Sequence, residues 1–132
     1  MPNTPEDFLA VAHTLAMDNS EMACRSAINR AYYAAYHAAD QFHAALPMPG
    51  MLPAIAVGVH DTLYHRLCHP TLAKDHPQRT RSVQVGYKAR GLKPYRTKAD
   101  YKLAETLGAG DRDHVLEQGA RLLEFCKTTP TG

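Results

Sequence analysis

The sequence predicts an all-α fold, an up-and-down bundle of four to five helices forming one domain over residues 1–132. Three observations lead there. Apolar residues recur at helical spacing in five segments, clusters of proline and glycine separate those segments, and no stretch alternates apolar with polar residues as a strand would. A chain of 132 residues can bury a core without disulfides or a structural metal.

The first helix starts at Pro5, with Glu6 and Asp7 in its first turn, and carries Phe8, Leu9, Val11, Ala12 and Leu15. Asp18, Asn19 and Ser20 break it. Ser20 suits the cap of a second helix running from about Glu21 to Ala45, rich in alanine and free of Gly and Pro. Leu46 to Pro53 holds three prolines and a glycine, so the chain turns there. A third helix spans Val57 to Cys68, with Val59, Leu63 and Leu67 as its apolar stripe, and ends before Pro70. The fourth begins near Gln78, is disturbed between Gly91 and Pro94, and resumes through Tyr95 to Leu107. Asp111 caps the last helix, whose apolar face is Val115, Leu116, Leu122, Leu123 and Phe125, with Lys127 at its negative end.

Composition narrows the function. Hydrophobic residues make up 45% and charged residues 21%, and no apolar run approaches the roughly 20 residues that span a bilayer, which speaks against a membrane protein. The N-terminus lacks the pattern of a signal peptide, so a cytoplasmic location is expected. Cys24, Cys68 and Cys126 are odd in number and form no CxxC pair, which predicts buried free thiols. Net charge is +2, yet residues 74–102 hold nine Lys or Arg against Asp75 and Asp100. That run suits phosphates, or it is a solvated helix face.

The second helix carries a polar stripe on a largely apolar surface. Arg30 and His37 are seven residues apart and nearly aligned, with Ser26, Tyr33 and Asp40 along the same line and Asn29 and Tyr36 flanking it. An arginine buried there needs an anionic partner. On the third helix His60, Asp61, His65, Cys68 and His69 cluster, and His65 with His69 has a spacing that can chelate zinc, but HExxH is absent and such histidines also occur as surface or cap residues. The chain contains no Gly-rich phosphate loop, GxSxG elbow, dinucleotide fingerprint or EF-hand loop, and nothing in it predicts a cofactor.

The run SAINRAYYAAYHAA, Ser26 to Ala39, resembles the HEPN domain family. The resemblance extends to Gly58, Val59, His60 and Leu63, and to Arg96, Ala99, Asp100 and Tyr101 in YRTKADYKL, covering about residues 6–125. It implies a HEPN-like helical bundle, commonly a homodimer, of the kind found in toxin-antitoxin, abortive-infection and antiviral defence systems. Many members are ribonucleases whose signature is an Arg followed within a few residues by a His, here Arg30 and His37 with six residues between. Related small members partner a nucleotidyltransferase.

The resemblance implies metal-independent RNA cleavage by attack of a ribose 2′-hydroxyl on the adjacent phosphorus. His37 would move the proton and Arg30 would neutralise charge on the phosphoryl oxygens. Asn29 would fix the phosphate, Asp40 would orient His37, and Tyr33 would bond a phosphoryl oxygen or stack on a base. Arg96 and Lys98 would add phosphate contacts, with Asp100 and Tyr101 in support. A competing reading pairs Arg30 with Asp100 and leaves Tyr33 and His37 as satisfied polar groups between the second and fourth helices. Function then divides between a ribonuclease acting as a toxin or defence effector, under an antitoxin where there is one, and a non-catalytic dimer that binds a partner protein or nucleotide. A third possibility is RNA binding by the basic segment without cleavage.

Overall fold

The computed structural model describes residues 3–128 and contains six helices: α1 (Pro5–Leu15), α2 (Glu21–Ala44), α3 (Val59–Cys68), α4 (Pro77–Arg90), α5 (Lys93–Tyr101) and α6 (Ala109–Lys127). The described residues contain no strand, and the chain is an all-α bundle. The fourth helical segment is divided in two where the sequence predicted a disturbance, because Pro94 lacks an N–H and its ring conflicts with the carbonyl four residues back, that of Arg90. None of these helices is long and apolar enough to cross a membrane.

Local chemistry sets the boundaries. Thr4 caps α1 reciprocally: its hydroxyl accepts from the Asp7 amide at 3.3 Å, and its own amide donates to the Asp7 carboxylate at 2.8 Å. Ser20 caps α2 by accepting from Ala23 N at 3.2 Å, as predicted. Two other boundaries differ from expectation. Helix α3 starts at Val59, and its buried stripe is Leu63, Tyr64 and Leu67, while Val59 is exposed on the first turn. Helix α6 starts at Ala109, so Asp111 is not its cap but lies in its first turn, where its carboxylate accepts from Gly108 N.

Helix α5 stops at Tyr101 instead of continuing to Leu107, and the cause is a side chain on α2. Arg25, only 4% exposed, donates to the carbonyls of Lys98 at 2.9 Å, Ala99 at 3.1 Å and Lys102 at 3.3 Å, and pairs with Glu21 at 2.8 Å. The Lys98 carbonyl still accepts from the Lys102 amide at 3.2 Å, but those of Ala99 and Lys102 turn to the guanidinium, which takes the place of further helical N–H groups. A second buried arginine, Arg112, holds the turn between α1 and α2 by donating to Ala16 O at 3.0 Å and Asn19 Oδ1 at 2.9 Å.

The core is arranged around α2, which touches all five other helices. Its alanines at 27, 31, 34, 35, 38 and 39 are buried, and such small side chains let neighbouring helices approach closely. Between them Ile28, Tyr32 and Phe42 fill the space toward Tyr64, Leu67, Val85, Val115 and Leu122. Gly86 serves α3 in the same way, since a Cβ there would stand 2.7 Å from Cys68 Sγ and 2.9 Å from Leu67 Cβ. The three cysteines are free thiols as expected, but only Cys24 is fully buried.

Candidate functional site

Arg96 is the hub of the site. On α5 it lies one turn before Asp100, and its Nε stands 2.9 Å from Asp100 Oδ2. That N–H is not aimed at the carboxylate, so the pair is held by charge and proximity while the buried Nε has no hydrogen bond among the described residues. Nη2 donates to the Tyr33 hydroxyl at 3.2 Å and to that of Tyr101 at 3.5 Å. The guanidinium also lies over the rings of Tyr101, Tyr33 and Tyr32 at 5.3, 5.7 and 6.0 Å. Burial works against its charge, but Tyr33, Asp100 and Tyr101 outweigh that and leave its pKa above the ordinary arginine value. Asn29 completes the knot by donating from Nδ2 to Asp100 Oδ2 at 2.9 Å.

Tyr33 joins this knot to a cluster of rings. His37, two positions short of Ala39 on α2, is packed by Phe8 of α1 at 5.0 Å, Tyr36 at 5.2 Å and Tyr33 at 6.2 Å, and neither of its ring nitrogens is bonded among the described residues. His60 of α3 enters the same cluster from the other side, stacked on Tyr36 at 4.1 Å and edge-on to Tyr33 at 5.7 Å. Its Nδ1 is 2.8 Å from the Tyr32 hydroxyl, which is 2.5 Å from that of Tyr64. Burial raises the pKa of Tyr32 to about 12 and raises that of Tyr64 as well, so both phenols stay protonated. Burial, with the Arg96 and Lys93 charges, lowers that of His60.

Arg30 does not behave as its place in an apolar helix predicted. It is exposed, and it makes neither an ion pair nor a hydrogen bond among the described residues. The competing pairing of Arg30 with Asp100 is likewise absent, because Asp100 is occupied by Arg96 and Asn29. The physical reason is position on the helix: the arginine that α2 does bury is Arg25, and the carbonyl ends of α5 satisfy it. Arg30 instead borders a cleft of about 490 Å³ between α2 and α5, together with Ser26, Asn29, Asp100, Tyr101 and Leu103.

The remaining expectations divide. Lys98 lies on the opposite side of α5 from Arg96, beside Pro94, Tyr95 and Asp111, so it takes no part in the site. Asp40 is exposed and makes no hydrogen bond to His37; its charge, after burial, helps raise the pKa of Tyr36. The histidines of α3 and its C-cap separate, with His60 facing α2 while His65 and the capping His69 stack on each other at 4.1 Å, and no group of three potential metal ligands forms among the described residues. The basic run is also partly consumed internally: Arg79 bonds the Leu72 carbonyl, Arg81 bonds those of Phe125 and Thr128, and Lys93 pairs with Asp61 at 2.6 Å.

Sequence reasoning missed Tyr32, Tyr64, Arg25 and the true place of His60. A signal existed for His60, which shares a helical stripe with Leu63, Tyr64 and Leu67 and so faces the core rather than solvent. Comparison of the chain with protein-family models, curated proteins and solved structures finds no match.

Proposed function

We propose that this chain is a metal-independent ribonuclease of the HEPN type, acting as a toxin or defence effector. The observation that carries the reading is an exposed Arg30 and a half-buried His37 on one stripe of α2, neither of them hydrogen-bonded through its side chain among the described residues. In the reaction His37 takes the proton of the 2′-hydroxyl, the 2′ oxygen attacks phosphorus, and the bond to the 5′ oxygen breaks; the departing oxygen takes a proton from water while His37 returns its own to solvent, leaving a cyclic phosphate and a 5′-hydroxyl. Arg30 neutralises the phosphoryl charge. The two residues lie about 10 Å apart along the helix axis, so a homodimer in which one copy's Arg30 approaches the other's His37 is part of the reading. Tyr101, 69% exposed and beside the cleft that Arg30 borders, offers a face for a base to stack on.

The test is cleavage of labelled RNA by the purified protein in EDTA, with Arg30→Ala and His37→Ala as folded controls. Cleavage by wild type alone, leaving cyclic-phosphate ends, supports the reading; no cleavage by any of them sinks it.

A second reading has its own observation. Arg96 and Asp100 form an ion pair, and Asn29 and Tyr33 hydrogen-bond to its two ends, as the parts of a structural knot would. A non-catalytic HEPN dimer that binds a nucleotidyltransferase or another protein needs no more than that. It predicts a stable complex with the partner and unchanged RNA.

A further inference from the structure

The His60 ring is fixed by a relay whose direction follows from its buried members. Tyr64, 1% exposed, has one hydrogen-bond partner for its hydroxyl among the described residues, the Tyr32 oxygen at 2.5 Å. A buried O–H donates where it can, so Tyr64 donates to Tyr32. The Tyr32 proton is then free to go to His60 Nδ1, 2.8 Å away. Nδ1 accepts, and the imidazole proton sits on Nε2. The two nitrogens of an imidazole diverge, so an Nδ1 turned toward the buried Tyr32 hydroxyl directs Nε2 away from it. The charged and titratable groups around the ring are Arg96 and Lys93 of α5, His37 of α2 and Asp61 on its own helix, and Lys93 covers Asp61 at 2.6 Å.

We propose that His60 is a substrate-binding residue whose Nε2–H, locked in that tautomer by Tyr32 and Tyr64, donates a hydrogen bond to a phosphoryl oxygen of RNA beside His37 and Arg96. The proposal rests on RNA as the ligand of this site and deepens the reading above. Tyr36 contacts both imidazoles, 4.1 Å from His60 and 5.2 Å from His37, so the donor and the proton-transfer group flank one ring. The lowered pKa of His60, from burial and then from Arg96 and Lys93, keeps the ring uncharged at neutral pH. An uncharged imidazole held this way is a fixed donor to developing negative charge rather than a proton shuttle. Histidine 60 and His37 thus divide the work: one donates a hydrogen bond and the other moves a proton.

Two measurements test this. Imidazole nitrogen NMR of the whole protein is expected to show His60 as the Nε2–H tautomer, and Tyr32→Phe is expected to release that preference; an Nδ1–H tautomer in wild type overturns the proposal. Binding of a 2′-O-methyl RNA oligomer, which cannot be cut, is then compared by fluorescence anisotropy for wild type, His60→Ala and His60→Gln. Loss of one hydrogen bond to a charged group predicts affinity weaker by on the order of ten- to a hundredfold in His60→Ala, with partial recovery in His60→Gln, whose amide keeps a donor. Equal affinity in all three overturns the proposal whether or not the protein cuts RNA. Weakened binding with no cleavage of ordinary RNA by wild type keeps the proposal and removes the ribonuclease reading.

Discussion

Asn29 Nδ2 donates to Asp100 Oδ2 at 2.9 Å, and the same oxygen stands 2.9 Å from Arg96 Nε, so one carboxylate ties α2 to α5 and sets the arginine beneath Tyr33. Asp100 therefore organises the site from the wall of the cleft that Arg30 borders.

Asp100→Ala is expected to leave Asn29 unpaired and let Arg96 swing, lowering stability by about 1–2 kcal/mol, since the pair is partly exposed and part of its charge is screened by solvent. RNA cleavage or binding falls with it. Urea denaturation and the RNA assay on the same variant check both, and a fully stable, fully active variant would contradict the hub.

The contrast between two arginines of α2 is sharper. Arg25→Ala strips the carbonyl end of α5 of its partner and is expected to cost about 3 kcal/mol, whereas Arg30→Ala is expected to stay within about 0.5 kcal/mol of wild type while losing activity. Thermal unfolding of the two variants measures the difference.

Gly50 permits the loop after α2 to lie against α3: its amide donates to His43 Nε2 at 3.0 Å, and its carbonyl accepts from Arg66 Nε at 3.0 Å. A Cβ at this position would collide with the Arg66 carbonyl. Gly50→Ala is expected to destabilise by about 1–3 kcal/mol, because backbone rather than a flexible side-chain end must move. A denaturant midpoint equal to wild type would rule the collision out.

Acid is expected to weaken the fold through His43 and His60. Burial lowers the pKa of both, and Arg66 lowers that of His43 further, below the ordinary 6.5. The unfolded chain then binds more protons than the native one, so stability falls as pH drops through 6.5 and levels off below the folded values. Denaturation at pH 7.5 and at a pH of about 5.5 should show the drop, and His60→Gln should show less of it.

Much of the fold was legible because its determinants are local. Pro5, Ser20 and the proline-rich stretch from Leu46 to Pro53 act on their own neighbourhoods, and periodicity marks the buried faces of α2 and α6. The break between α4 and α5 was visible in Gly91 and Pro94 for the same reason. The end of α5 was not visible, since it depends on Arg25, a residue 73 positions from Lys98.

The site shows the same division. Sequence placed Arg30, Tyr33 and His37 on one stripe of α2, which is a matter of helical geometry alone. Whether an arginine on that helix is buried, which of His60, His65 and His69 faces α2, and whether Lys98 joins Arg96 were decided only when the helices packed. Those outcomes depend on which faces meet across long stretches of chain, and spacing within one element carries no information about them. The sequence by itself determined that the chain is helical and where α2 carries its polar stripe. The tertiary structure decided that Asp100 meets Asn29, that Arg30 has no ion pair among the described residues, and that His60 enters the ring cluster, because each depends on which helices meet rather than on one helix alone.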